Sequence, residues 1–242
     1  CGGTITGLTH GAINSPGYPG RYPHDRDCTW IVSVPLNMRL QLVFATLRIE
    51  HHANCSYDFI QIRDGVNEHS HVLSTICGTP EHLPAPLSTS GPHAWIYFHS
   101  DGYENDMGFH VSWLTVPGIP GCGGLLTQAR GGFAPPSRTD LQNLVASYEH
   151  NLDCEWVVRA PMGERVRLTF ASFRLEGSAA CFFDYVEVRE GSSPDGPLVY
   201  RRCGDDLPPS HISRGNELLV HFHSDYSVAH EGFQAHYEIG LC

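Results

Sequence analysis

Nine cysteines fall in a pattern that repeats, and this repeat restricts the fold more than any other feature of the 242 residues. Cys28, Cys55 and Cys77 recur as Cys154, Cys181 and Cys203, each 126 residues further on, and Cys1, Cys122 and Cys242 lie about one repeat apart. Self-similarity at domain length indicates two copies of one domain, expected over residues 1–117 and 122–241, with 118–121 as a short Pro/Gly connector. Pro117 and Pro120 stiffen that connector and are expected to restrict the angle between the domains. Cys242 reads as the first cysteine of a further, truncated repeat. Four cysteines per copy suggest two disulfides each, leave three pairings open, and imply an oxidising, extracellular compartment. No Cys-x-x-Cys pair occurs, which argues against a zinc ribbon or redox motif.

Within each copy the apolar residues alternate. Leu40, Leu42 and Phe44 match Val166, Leu168 and Phe170; Ile60 and Ile62 match Val186 and Val188; Ala94, Ile96 and Phe98 match Leu218, Val220 and Phe222. Phe109, Val111 and Trp113 match Phe233, Ala235 and Tyr237. A period of two broken by Gly, Pro, Asn and Asp predicts an all-β protein of two antiparallel sandwiches with almost no helix. Ser15-Pro16-Gly17-Tyr18-Pro19 and Asp64-Gly65 read as turns, and Trp30 and Trp156, two residues after a cysteine, as core.

One stretch in each copy carries chemistry. Glu50 lies five residues before Cys55 and Asp58 three after it; Glu176 and Asp184 flank Cys181 at the same spacing. Carboxylates held together repel unless a cation lies between them. Hard oxygen ligands of this kind suit Ca2+.

The motifs around these stretches resemble the CUB domain, a two-sheet β-sandwich of secreted and cell-surface proteins. The first copy carries Cys1-Gly2-Gly3, Ser15-Pro16-Gly17-Tyr18-Pro19, Tyr22-Pro23, Cys28-Thr29-Trp30, Tyr57-Asp58, Asp64-Gly65, Cys77-Gly78, Ser100-Asp101 and Gly108-Phe109. The second keeps Cys122-Gly123-Gly124, Cys154-Glu155-Trp156, Asp184-Tyr185, Cys203-Gly204, Ser224-Asp225 and Gly232-Phe233. The resemblance implies the pairings Cys1–Cys28, Cys55–Cys77, Cys122–Cys154 and Cys181–Cys203. It also implies one Ca2+ per domain, held by Glu50, Asp58 and Asp101 in the first and by Glu176, Asp184 and Asp225 in the second. Tyr22 and Tyr148, each six residues before a cysteine, would support these acids. Tyr22, Glu50 and Asp101, with Tyr148, Glu176 and Asp225, would form the ligand-binding tips, to which basic, Lys- or Arg-presenting protein ligands dock.

Directly consecutive domains are similar to the arrays of cubilin-type endocytic receptors. The expected function is therefore a calcium-dependent, ligand-binding receptor segment that is secreted or held at the cell surface, with neighbouring CUB domains as further partners. A structural or assembly scaffold with purely structural calcium is the alternative. The second copy departs from the pattern: it lacks the Ser-Pro-Gly-Tyr-Pro turn, has five extra residues around Phe133 to Val145, and places Val228 where the first has Glu104. Asn54-Cys55-Ser56 is a glycosylation sequon beside the first tip.

A formal net charge of -11 argues against nucleic acid as a partner. No apolar run is long enough to span a membrane. No Gly-x-Ser-x-Gly, His-Glu-x-x-His or phosphate loop occurs, so an enzyme is not expected.

Overall fold

The computed structural model describes residues 1–139 and 146–240. Every described element is a strand. The chain divides between Gly118 and Ile119 into two compact units. The first contains β1 (Gly3–Thr6), β2 (His10–Asn14), β3 (Arg26–Ser33), β4 (Met38–Arg48), β5 (Phe59–Asp64), β6 (His71–Ile76), β7 (Leu87–Ser88), β8 (His93–Ser100) and β9 (Gly108–Pro117). The second contains β10 (Gly124–Leu126), β11 (Arg130–Phe133), β12 (Ser137–Thr139), β13 (Ala146–Tyr148), β14 (Asp153–Arg159), β15 (Arg165–Arg174), β16 (Tyr185–Glu190), β17 (Leu198–Arg202), β18 (His211–Ile212), β19 (Glu217–His223) and β20 (Gly232–Gly240).

Each unit is a sandwich of a five-stranded and a four-stranded sheet. The orders are β1-β3-β8-β5-β6 and β2-β9-β4-β7 in the first, β10-β14-β19-β16-β17 and β11-β20-β15-β18 in the second. The alternating apolar residues of facing strands meet between the sheets. Leu40, Leu42, Ile60, Ile62, Ile96, Phe98, Phe109 and Val111 are buried in the first core. Val166, Leu168, Val186, Val188, Val220, Phe222, Phe233 and Ala235 are buried in the second. Burying each Val, Leu, Ile or Phe side chain of this set stabilises the sandwich by about 1.5–3 kcal/mol.

The pairing is antiparallel except at one edge of each unit, where β1 joins β3 and β10 joins β14 in parallel. The disulfides explain this. The four bridges are Cys1–Cys28, Cys55–Cys77, Cys122–Cys154 and Cys181–Cys203. Cys1 tied to Cys28 starts the chain alongside β3, so that Gly3 lies opposite Trp30. Gly2 turns there with φ +97°, and a Cβ on it would meet the Thr29 carbonyl oxygen at 2.4 Å; Gly123 repeats this with φ +91° against Glu155 at 2.5 Å. The Cys-Gly-Gly motif is the sequence form of this close approach.

Of the residues expected as a connector, Gly118 donates its amide to the Asn37 carbonyl of the first unit and Ile119 packs on the core of the second. Part of the second copy's extra sequence forms the β12–β13 pair, in which Ser137 faces Tyr148. Residues 140–145 and Cys242 lie outside the described residues.

Candidate metal centres at the sandwich tips

Three loops converge at one end of each sandwich: the segment after β4 or β15, the segment before β5 or β16, and the segment after β8 or β19. They bring Glu50, Asp58 and Asp101 together in the first unit, and Glu176, Asp184 and Asp225 in the second. In each set one carboxylate oxygen per residue lies within 4.8 Å of the others.

A tyrosine and a buried aspartate hold each set. Tyr22 is fully buried; its hydroxyl donates to Asp58 Oδ2 at 2.6 Å and accepts the Glu50 amide at 3.0 Å. Asp58, also fully buried, accepts the Asp101 amide on Oδ1 at 2.7 Å. Asp101 in turn accepts the Tyr103 amide at 2.9 Å. In the second unit the Tyr148 hydroxyl donates to Asp184 and accepts the Glu176 amide at 3.1 Å. Asp184 accepts the Asp225 amide at 2.8 Å, and Asp225 accepts the Ser227 amide at 2.8 Å. Burial and the neighbouring aspartate push both tyrosine hydroxyls well above their ordinary range, so they stay protonated donors. Val228, which replaces an acid, turns its carbonyl to within 3.4 Å of the Tyr148 hydroxyl.

The third acid of each set is left in want of a partner. Glu50 Oε2 and Glu176 Oε2 are buried atoms without a hydrogen-bond partner. Desolvation raises the Glu50 carboxyl, and Asp58, Asp101 and Glu104 raise it further; desolvation and Asp225 raise Glu176, while His230 opposes. An enclosed carboxylate oxygen facing two other carboxylates is costly unless a cation completes it. A divalent ion that takes oxygen ligands suits this set of three carboxylates.

Exposed apolar residues border these acids, a feature that the acidic spacing does not reveal. Tyr57 and Tyr103 adjoin Asp58 and Asp101; Phe182, Phe183, Tyr226 and Val228 adjoin Asp184 and Asp225. The His52 ring packs on Tyr57 at 4.2 Å, and its Nδ1 accepts the amides of Asn54 and Ser56.

Asp184 gives a pH prediction. Burial raises its carboxyl to about 6, against the lowering effect of the Tyr148 hydroxyl and Asp225 amide. The folded value lies above the unfolded one, so the stabilisation is complete below about pH 4 and is lost as pH rises through about 6. With chelator present, the urea midpoint of the second unit should therefore fall between about pH 4.5 and 7, and Asp184→Asn should flatten that fall. A midpoint that rises over this window contradicts the assignment. The low carboxyl of Glu187, about 2, titrates outside it.

Paired sandwiches, each with two disulfides and a carboxylate-lined tip, define a disulfide-stapled module of the extracellular kind. The family model of the CUB domain matches residues 1–113 and 122–237, and the chain belongs to that family. It is 39% identical over 240 residues to cubilin of Sus scrofa, covering 99% of this chain and 6% of that protein. It is 34% identical over 275 residues to tolloid-like protein 2 of Mus musculus, covering 98% of this chain and 26% of that one. The MASP-1 CUB2 domain bound to Ca2+ aligns with a TM-score of 0.42 and 31% identity, over 47% of this chain and 99% of that one. The chain thus spans a small part of the curated relatives it matches. Among the described residues no helix is long and apolar enough to cross a membrane.

Proposed function

We propose that the chain is a ligand-binding segment of an extracellular multi-CUB receptor of the endocytic, cubilin-like kind, with one Ca2+ at each tip. Glu50, Asp58 and Asp101 hold the first ion; Glu176, Asp184 and Asp225 hold the second. The observation that carries this reading is the buried, partnerless oxygen of Glu50 and of Glu176, which recurs in both units beside two further carboxylates. When bound, the ion supplies positive charge that relieves carboxylate repulsion and keeps the three loops together.

The protein's own residues do the docking. Tyr22 and Tyr148 fix the buried aspartates, so the outer oxygens of Glu50 and Asp101, and of Glu176 and Asp225, stay aimed outward. These accept a charge-assisted hydrogen bond from a Lys or Arg of a protein ligand. A single such contact is weak. Linked domains multiply it through effective concentration. Asn54 is exposed on the loop between Glu50 and Asp58, and a glycan there would limit access to the first tip only.

Calorimetric titration with Ca2+ tests the metal, and binding to an immobilised Lys-rich peptide tests docking. Two ions per chain are expected, with peptide binding that chelation abolishes. Asp101→Ala and Asp225→Ala should each remove one ion and weaken peptide binding by about tenfold or more. Calcium loss without loss of peptide binding would leave the ion a structural role and favour the assembly scaffold.

A further inference from the structure

The outer faces of the two five-stranded sheets are built on matching positions but carry opposite chemistry. In the second unit Glu187 and His221 are opposed across β16 and β19, and Glu187 lies opposite Arg201 on β17. Glu187 pairs with Arg189 at 2.8 Å and Arg201 at 2.6 Å, and His221 bonds Asp153. Burial alone would favour the neutral imidazole, but Asp153 and Glu187 hold His221 well above its usual range. That face satisfies its own charges.

In the first unit the same row reads Thr29, Tyr97, Gln61 and Thr75, all neutral. Gln61 stands where Glu187 stands, and Arg63 where Arg189 stands. Trp95 lies opposite Arg63. The Arg63 guanidinium has lost its carboxylate partner. It donates instead to Gln61 Oε1 at 2.7 Å and to the Ser70 carbonyl at 2.9 Å, and it lies 5.6 Å from the Trp95 ring centre. Among the described residues no carboxylate pairs with it. Glu68 acts on it only at longer range and pairs with His69 at 3.8 Å. Asp27, the other acid on this face, is engaged by the Tyr97 hydroxyl and by His99. Desolvation disfavours the Arg63 charge, so an unpaired cation stands half-buried in a recess.

That recess has a volume of about 590 Å³ and is lined by Thr29, Phe59, Gln61, Arg63, Trp95 and Tyr97, with Glu68 and His69 at its rim. Phe59, Trp95 and Tyr97 form a continuous aromatic wall, with ring centres 5.8 Å and 5.4 Å apart. The recess is open to solvent on one side, and its volume lies within the range of small-ligand sites, about 300–1,000 Å³.

We propose that this recess binds an acidic saccharide, whose carboxylate pairs with Arg63, whose hydroxyls meet Gln61 and Thr29, and whose C–H faces pack on Trp95, Tyr97 and Phe59. Charge complementarity selects the acid: the Arg63 guanidinium, which has no carboxylate partner among the described residues, donates its remaining N–H groups to one carboxylate. The neutral polar row suits hydroxyl groups that carry no charge. The site is separate from the acidic tips and does not depend on calcium.

The test is calorimetric or tryptophan-fluorescence titration of the whole chain in chelator, with sialyllactose as probe, lactose as the neutral control and a Glu-rich peptide as the protein control. Sialyllactose should bind saturably and about tenfold or more tightly than lactose. Gln61→Glu, which installs the second unit's residue and pairs Arg63 internally, should abolish that binding with the fold intact, as should Arg63→Gln. Glu68→Gln should strengthen it, because it removes the acid at the rim. Equal binding of lactose, binding of the peptide alone, no saccharide binding at all, or binding that survives Gln61→Glu would each overturn the proposal. Loss of calcium binding at the tips would leave these results unchanged, so the two readings fail separately.

Discussion

Asp58→Ala should destabilise the first unit by about 2–6 kcal/mol and cancel the protection that calcium gives it. The side chain is fully buried and accepts two hydrogen bonds, from the Tyr22 hydroxyl at 2.6 Å and the Asp101 amide at 2.7 Å. Alanine leaves both donors in the interior without an acceptor, at about 1–3 kcal/mol for each. Tyr22 also accepts the Glu50 amide, so releasing its hydroxyl loosens the loop that carries Glu50. Denaturant unfolding with and without calcium measures both effects. Asp58→Asn separates them, since the amide oxygen can keep the Asp101 contact while the charge is gone. It should fold nearly normally, yet gain no stability from calcium. An Asp58→Ala protein as stable as the parent, and still stabilised by calcium, would show that Tyr22 and Asp58 do not hold the tip.

Much of this arrangement is visible in the sequence for simple reasons. Leu40, Leu42 and Phe44 face one core because strand side chains alternate, and all three are buried. Glu50 and Asp58 meet because the intervening loop is stapled by Cys55–Cys77. Three features are not legible from spacing. The parallel edge pairing of β1 with β3 depends on which cysteine Cys1 finds, and spacing alone left three pairings open. The role of the Tyr22 hydroxyl, which serves an amide and a carboxylate at once, is a contact between residues 28 and 36 positions apart. The contrast between Gln61 and Glu187 appears only when register sets each against its cross-strand neighbours, Tyr97 and His221. Local pattern reports which face a residue occupies; it does not report which partners wait there.

Phe222→Ala should have the largest effect in the second unit, about 3–5 kcal/mol of stability, and it should also reach the tip. Phe222 is fully buried, meets the Tyr148 ring edge-on at 5.3 Å and lies 5.6 Å from Phe233. Tyr148 in turn carries the bond to Asp184. A cavity beside Tyr148 frees the ring that positions the buried aspartate, so calcium affinity should fall together with stability. Phe222→Leu keeps most of the volume and should lose less stability, with calcium binding largely preserved. Measuring urea unfolding and calcium titration on the same two proteins distinguishes these effects. If Phe222→Ala lost stability while calcium bound as before, the tip would be rigid independently of the core, held by the Cys181–Cys203 bridge and the loop amides. The first unit offers the parallel experiment at Phe98, which meets Tyr22 edge-on at 5.2 Å, and the same coupling is expected there.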